Sequence, residues 1–418
     1  MKLLFTDRIL SKKHSLTKRY KFLPGDSVAR SQQQKHRFLK FYLIFRKNYS
    51  NINHHNVNLK KNLLFALFIL ASQLVHAQCW NLVWEDEFTG TSLDGANWSY
   101  QTGASGWGNN ELQYYRQGTN NVTVSNGVLK ITAKEESYMG ADYTSARIRT
   151  INKSDWTHGK MEARIKLPEG QGIWPACWML PTDNIFGGWP NSGEIDIMEY
   201  LGHQTNTAYG TIHYSINGSH NFAGDNYVLP SGGYNDAFHT FTVEWDSGEI
   251  RWYIDGVLYH SVTEASLGIS PWVFDENFHF ILNLAVGGDW PGSPDNTTVF
   301  PQTMEVDYLR VYQQLSEILV TGDKLVQPNE GNVPYSVPTI AGATYNWTVP
   351  VGASIVSGQG TENIIVDWGQ NSGDITVQLT TACGTESIVN PVEVTTNLFE
   401  NPEFENGLVN WNLSLIHI

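Results

Sequence analysis

Apolar and polar residues alternate with a period of two along most of the chain, in short runs separated by turn residues. Val122 to Val124, Val128 to Ala133, Lys160 to Leu167, Thr240 to Trp245 and Arg251 to Ile254 are such runs. Alternation sends successive side chains to opposite faces, so each run predicts a strand with one face buried. Asn126-Gly127 and Asp255-Gly256 each fall between two runs, and these residue pairs tolerate the positive φ that a tight hairpin requires. No amphipathic helical stretch interrupts the series from Trp80 to Tyr312. Many short strands at ~8–12-residue spacing predict an all-β fold, a jelly-roll sandwich of two sheets.

Near Gln313 to Glu317 the pattern changes. Tyr335 to Val337, Ala343 to Val349, Ile364 to Trp368 and Ile375 to Thr380 predict a smaller all-β unit of immunoglobulin-like type. At the other end, Lys60-Lys61, the apolar run Leu63 to Ala71 and Val75-His76-Ala77 read as the three parts of a signal peptide, with cleavage after Ala77. The apolar run is shorter than the ~20 residues that span a bilayer. A secreted, extracellular protein with no membrane attachment after cleavage is expected. The predicted division is a basic leader and signal peptide (1–77), a large domain (78–314), a small module (315–396) and the start of a further module (397–418).

Composition narrows the partners. The chain has 418 residues, 41% hydrophobic and 16% charged, with 15 Trp, 19 Tyr and 18 Phe, which excludes a disordered chain or a coiled coil. Its net charge is -14, yet the first 61 residues hold 15 Lys/Arg against Asp7 and Asp26, leaving 12 basic and 39 acidic residues beyond them. So acidic a body repels phosphate backbones, which excludes nucleic acid and points to a neutral ligand. A monomer is expected. Cys79, Cys177 and Cys383 allow at most one internal disulfide. Cys177, in the apolar stretch Trp174 to Leu180, is predicted to be a buried, inert thiol.

The chemistry concentrates in Gly193 to Tyr200, GEIDIMEY. On a strand, Glu194 and Asp196 share a face while Ile195 and Ile197 point to the core. One extra residue bulged at Ile197-Met198 brings Glu199 to the same face. Crowded carboxylates repel, and they persist where they share a proton, bind a cation or accept substrate hydroxyls. Sharing a proton is glycosidase chemistry. Four strand steps, roughly 13 Å of backbone, let two leaning Glu side chains close to about the ~5–5.5 Å of a retaining pair, where an inverting pair needs ~6.5–9.5 Å. Glu194 is then the nucleophile, Glu199 the acid and base, and Asp196 the residue that tunes both, with neighbouring charge raising the pKa of Glu199. A calcium cluster and a solvated polar strand face are the alternatives. The nearby Trp174, Trp178, Trp189 and His213 favour the sugar reading, because indole faces stack on the C–H faces of sugars.

In order along the chain, WEDEF (84–88), GWGNNELQYY (106–115), TSARIR (144–149), GKMEARIKL (159–167), GIWPACWMLP (172–181), the acidic motif, FTVEWD (241–246), LNLAVGG (282–288) and MEVDYLRVY (304–312) complete a pattern. It resembles glycoside hydrolase family 16, specifically its laminarinase-like endo-β-1,3-glucanases. The resemblance implies a concave groove, a retaining mechanism without a catalytic cofactor, and a β-glucan substrate, with mixed β-1,3/1,4 chains as further substrates. It marks Asn110, Arg149, Trp174, Trp178, Trp189, His213 and Asn283 as substrate-binding candidates. It also implies a structural Ca²⁺ held by hard oxygen ligands at Glu87, Gly127 (through its carbonyl) and Asp307. GATYNWTV (342–349), VDWG (366–369) and ACG (382–384) resemble PKD-like modules of secreted enzymes, and NLFENPEFENGLVNW (397–411) resembles the first strand of a carbohydrate-binding module. In PKD-like modules the late cysteine often has an earlier partner; none precedes Cys383 within its own unit, so no disulfide is expected there. A non-catalytic glucan-binding protein and a galactanase acting on agarose or carrageenan are the competing functions.

Overall fold

The computed structural model describes residues 79–269 and 271–396. The expected leader, signal peptide and C-terminal module start lie outside the described residues. The larger part is a sandwich of a seven-stranded and a ten-stranded sheet. The seven strands are β1 (Ser99–Gln101), β2 (Arg147–Arg149), β3 (Ile173–Pro181), β4 (Glu194–Tyr200), β5 (Thr207–Ile216), β6 (Ser219–Val228) and β7 (Phe278–Val286). In space they run β6-β5-β4-β3-β7-β2-β1, so β4 lies inside the sheet and β6 at its edge.

Alternation decides which side chains fill the space between the sheets. Met161, Ala163 and Ile165 from Gly159–Lys166 are fully buried, and they join Cys177, Met179, Ile195, Ile212 and Leu284 of the opposite sheet in one core. Both hairpins form where expected. Asn126 and Gly127 (φ 56° and 73°) join Val122–Ser125 to Val128–Tyr138, and Asp255 and Gly256 (φ 49° and 76°) join Glu249–Ile254 to Val257–Thr263. Positive φ at both central residues matches the twist of the flanking strands.

The small module stacks two four-stranded sheets around Tyr335, Trp347, Ile364, Val366, Ile375 and Val377. Leu315 and Ile318 of the junction belong to this core, and Val83 of the larger domain packs against it. Cys383 has no partner within its own module, as expected; its partner lies outside it, in Cys79, 304 residues upstream. The reason is register. The first strand, Asn81–Asp86, pairs with the last strand of the large domain, Asn81 opposite Gln313. That pairing carries Cys79 to the point where the small module begins. Cys177 is buried and free, and burial pushes its thiol up out of the reactive range. Unfolded in denaturant without reductant, the protein is expected to titrate one thiol per chain with a thiol-specific dye; three would show that Cys79 and Cys383 do not pair in solution.

Candidate active site

The extra residue expected in the acidic strand is present. Glu194 and Asp196 of β4 face His213 and Thr211 of β5, but Glu199 faces Tyr209, so three residues on β4 are set against two on β5. The same shift follows Asp196 on the β3 side. Ile195, Ile197 and Met198 are all buried in the core, which turns Glu194, Asp196 and Glu199 together onto the concave face. A tryptophan from the facing sheet supports the kink: Trp252 Nε1 donates to the Asp196 carbonyl at 2.8 Å. A Cβ on Gly210 would lie 2.4 Å from the Trp252 ring, so only glycine leaves room for that indole.

Side chains sharing this face form rows across the sheet. One runs Arg147, Asn283, Ala176, Glu199, Tyr209, Asn226; a second runs Arg149, Ile281, Trp178, Asp196, Thr211, Gly224; a third runs Glu194, His213, Phe222. All but Arg149 and Ile281 floor a cleft of about 1000 Å³. Each acid has a defined neighbour. Trp189 Nε1 donates to Glu194 Oε2 at 2.9 Å, and Trp174 Nε1 donates to Glu199 Oε1 at 3.2 Å. His213 Nε2 lies 3.2 Å from Asp196 Oδ2 and 3.8 Å from Glu194 Oε1, close enough for charge attraction but off the line of a good hydrogen bond.

Burial, more than mutual repulsion, shifts these acids. It pushes Glu199 up to about 8, with the charge of Asp196 adding to it. Asp196 is raised to about 8 by burial, against a hydrogen bond with Glu194 that favours its charged form. Glu194 is raised well above the carboxylate range by burial and by Asp196. The expectation for Glu199 holds in direction, while its main cause is desolvation rather than neighbouring charge.

Of the substrate-binding candidates, Trp174, Trp178, Trp189, His213 and Asn283 line the cleft. Trp178 Nε1 donates to Asn283 Oδ1 at 2.7 Å, and Asn283 Nδ2 donates to Tyr115 Oη at 3.1 Å. Two candidates do not line it. Asn110 sits in a turn (φ 56°) and holds Asp289 through bonds of 3.0 and 3.1 Å; its neighbours Asn109 and Glu111 line the cleft instead. Arg149 lies beyond Ile281, and Arg147, two residues earlier on the same face, takes the place assigned to it. Arg147 stacks over Trp178 and Trp107 at 4.6 and 4.9 Å. Burial lowers its pKa, while Tyr115, Glu111 and Glu194 favour its charge. Trp107 and Glu111 stood within the quoted motif GWGNNELQYY, but Tyr209 and Trp290 had no sequence signal beyond being aromatic.

The expected calcium ligands do not form a free carboxylate cage. Arg310 Nε binds Glu87 Oε1 at 2.6 Å, and Arg164 binds the Asp307 carboxylate. Both carboxylates are therefore paired with arginine, so an ion at this place would be held through backbone carbonyls, of which that of Gly127 is the expected one. Glu194, Asp196 and His213 place possible ligand atoms within 4.8 Å of one another; Trp189 already donates to the Glu194 carboxylate.

Two buried glutamates flanking an aspartate in an aromatic cleft define a carboxylate glycosidase site. The glycosyl hydrolases family 16 pattern matches residues 109–310, and a PKD-like domain matches residues 314–394. A beta-glucanase of Rhodothermus marinus is 42% identical over 248 residues, 56% of this chain and 85% of that protein. The crystal structure of the laminarinase catalytic domain from Thermotoga maritima is 47% identical with a TM-score of 0.52, covering 56% of this chain and 99% of that one. The endo-beta-1,3-glucanase of Pyrococcus furiosus is 43% identical with a TM-score of 0.53, covering 57% and 96%. The chain belongs to glycosyl hydrolase family 16.

Because Arg147 and not Arg149 meets the cleft, Arg147→Ala is expected to lower kcat/KM on a bound polysaccharide by about tenfold or more, the scale of a lost charged contact. Arg149→Ala should stay within about twofold. Steady-state kinetics of the two variants decide this, and equal losses would contradict the placement.

Proposed function

We propose that this protein is a secreted, monomeric endo-β-1,3-glucanase that cuts internal bonds of laminarin-type glucans, and mixed β-1,3/1,4-glucans, by double displacement. The observation that carries this reading is the bulged strand, which presents Glu194, Asp196 and Glu199 to one cleft. A Glu194 oxygen attacks the anomeric carbon while Glu199 gives its proton to the departing glycosidic oxygen. The glycosyl ester on Glu194 is then broken by water, whose proton returns to Glu199. Burial and the charge of Asp196 raise Glu194, so the attacking Glu194 must give up its proton, and Asp196 beside it on the strand face is the carboxylate placed to tune that step. These carboxylates perform every proton transfer, so no cofactor takes part in the reaction, and no step runs through calcium.

Among the lining residues stand five acids, Glu111, Glu194, Asp196, Glu199 and Asp225, and one arginine. That balance disfavours sulfated galactans and suits a neutral glucan. Intact acids with raised pKa values disfavour a purely binding role. Secretion is supported by the signal-like segment ending at Ala77 and by the Cys79–Cys383 bond, a feature of oxidising compartments.

Incubation with laminarin should release reducing ends, and early product observed by proton NMR should be the β anomer. Glu199→Gln is expected to lose about 10²–10⁴-fold in kcat. Glu199 must hold its proton to act as an acid, so wild-type kcat/KM should fall as pH rises through about 8. No release from laminarin, or a Glu194→Gln variant as active as wild type, would overturn the assignment.

A further inference from the structure

The row that starts at Glu194 continues through His213 to Phe222 on the edge strand. Phe222 lines the cleft and is 67% exposed. It does not stand alone. Trp189, His213, His220 and Phe222 form a run of rings from the nucleophile to the sheet edge: Trp189 to His220 at 4.8 Å, His220 stacked on His213 at 5.1 Å, and Phe222 at 6.1 and 6.3 Å from the two imidazoles. His213 Nδ1 and His220 Nε2 share a hydrogen bond of 2.8 Å, which fixes the two rings beside Phe222.

The neighbouring row ends differently. It leaves Asp196 and Thr211 and stops at Gly224, between Phe222 and Asn226 on β6. A Cβ there would come within 2.5 Å of Thr211 Oγ1 and 2.8 Å of the Gly210 carbonyl, so no side chain rises from this position, and the cleft edge dips between Phe222 and Asn226. Resting on the glucanase reading, we propose that the glucan leaves the sheet over Gly224 and that Phe222 is a stacking platform for a sugar about two units from the bond being cut. Phe222 lies two strand spacings from Glu194, about 10 Å, with only β5 between them. An exposed phenyl ring offers an apolar face to the C–H side of a neutral hexose, and the open edge admits a chain that continues past it.

The test is the dependence of rate on chain length. Linear β-1,3-gluco-oligosaccharides of increasing length, and laminarin, are hydrolysed by wild type, Phe222→Ala and Phe222→Trp. In wild type, kcat/KM should rise where the substrate first reaches the platform. In Phe222→Ala that step should shrink by about 2- to 10-fold, the range expected for a lost ring contact, while the shortest cleaved substrate reacts as in wild type. Phe222→Trp should keep the step. An unchanged step in Phe222→Ala would overturn the proposal. So would an equal loss at every length, which would show that Phe222 only supports His213. Failure of the wild type to cut any of these glucans would instead overturn the glucanase reading.

Discussion

Like charges held out of water on one strand face cannot all remain ionised, and the concave side of this sandwich is arranged around that constraint. Glu194, Asp196 and Glu199 lie within a few residues of one another, and burial raises all three. A site of this kind retains protons at neutral pH. Retained protons are what a leaving glycosidic oxygen needs, and the remaining anion is what an anomeric carbon needs.

The rest of the fold keeps that arrangement from relaxing. Ile197 and Met198 are driven into the core by their hydrophobicity, and their burial makes the bulge the stable form of β4. The carbonyl left at the bulge is satisfied by Trp252 from the opposite sheet, and Gly210 makes space for that indole. Two further tryptophans donate to Glu194 and Glu199 and orient them without adding charge. The apolar core and the acidic site are thus two faces of the same strand.

Much of this was legible in the sequence because it is local. Period-two alternation marked the strands, Asn-Gly and Asp-Gly marked the turns, and the misplaced Glu199 in an otherwise alternating motif marked the bulge. What sequence could not supply is register between distant strands. Alternation put Arg147 and Arg149 on the same face, but only their pairing with Asn283 and Ile281 separates the one in the cleft from the one beyond it. Asn110 stands beside cleft residues, yet its positive φ turns it to Asp289. The partner of Cys383 was missed for the same reason, since it depends on pairing between the first and last strands of the larger domain. The arginines that pair with Glu87 and Asp307 likewise come from elsewhere in the chain, where no local pattern announces them.

The most direct test of the shared-face arrangement is to trap the glycosyl-enzyme with a slow-reacting 2-fluoro glucosyl substrate and locate the adduct by peptide mass spectrometry. One sugar ester is expected on Glu194, formed fully in wild type and slowed in Glu199→Gln. An adduct on Glu199 or Asp196, or turnover through a product with inverted configuration and no adduct, would contradict it.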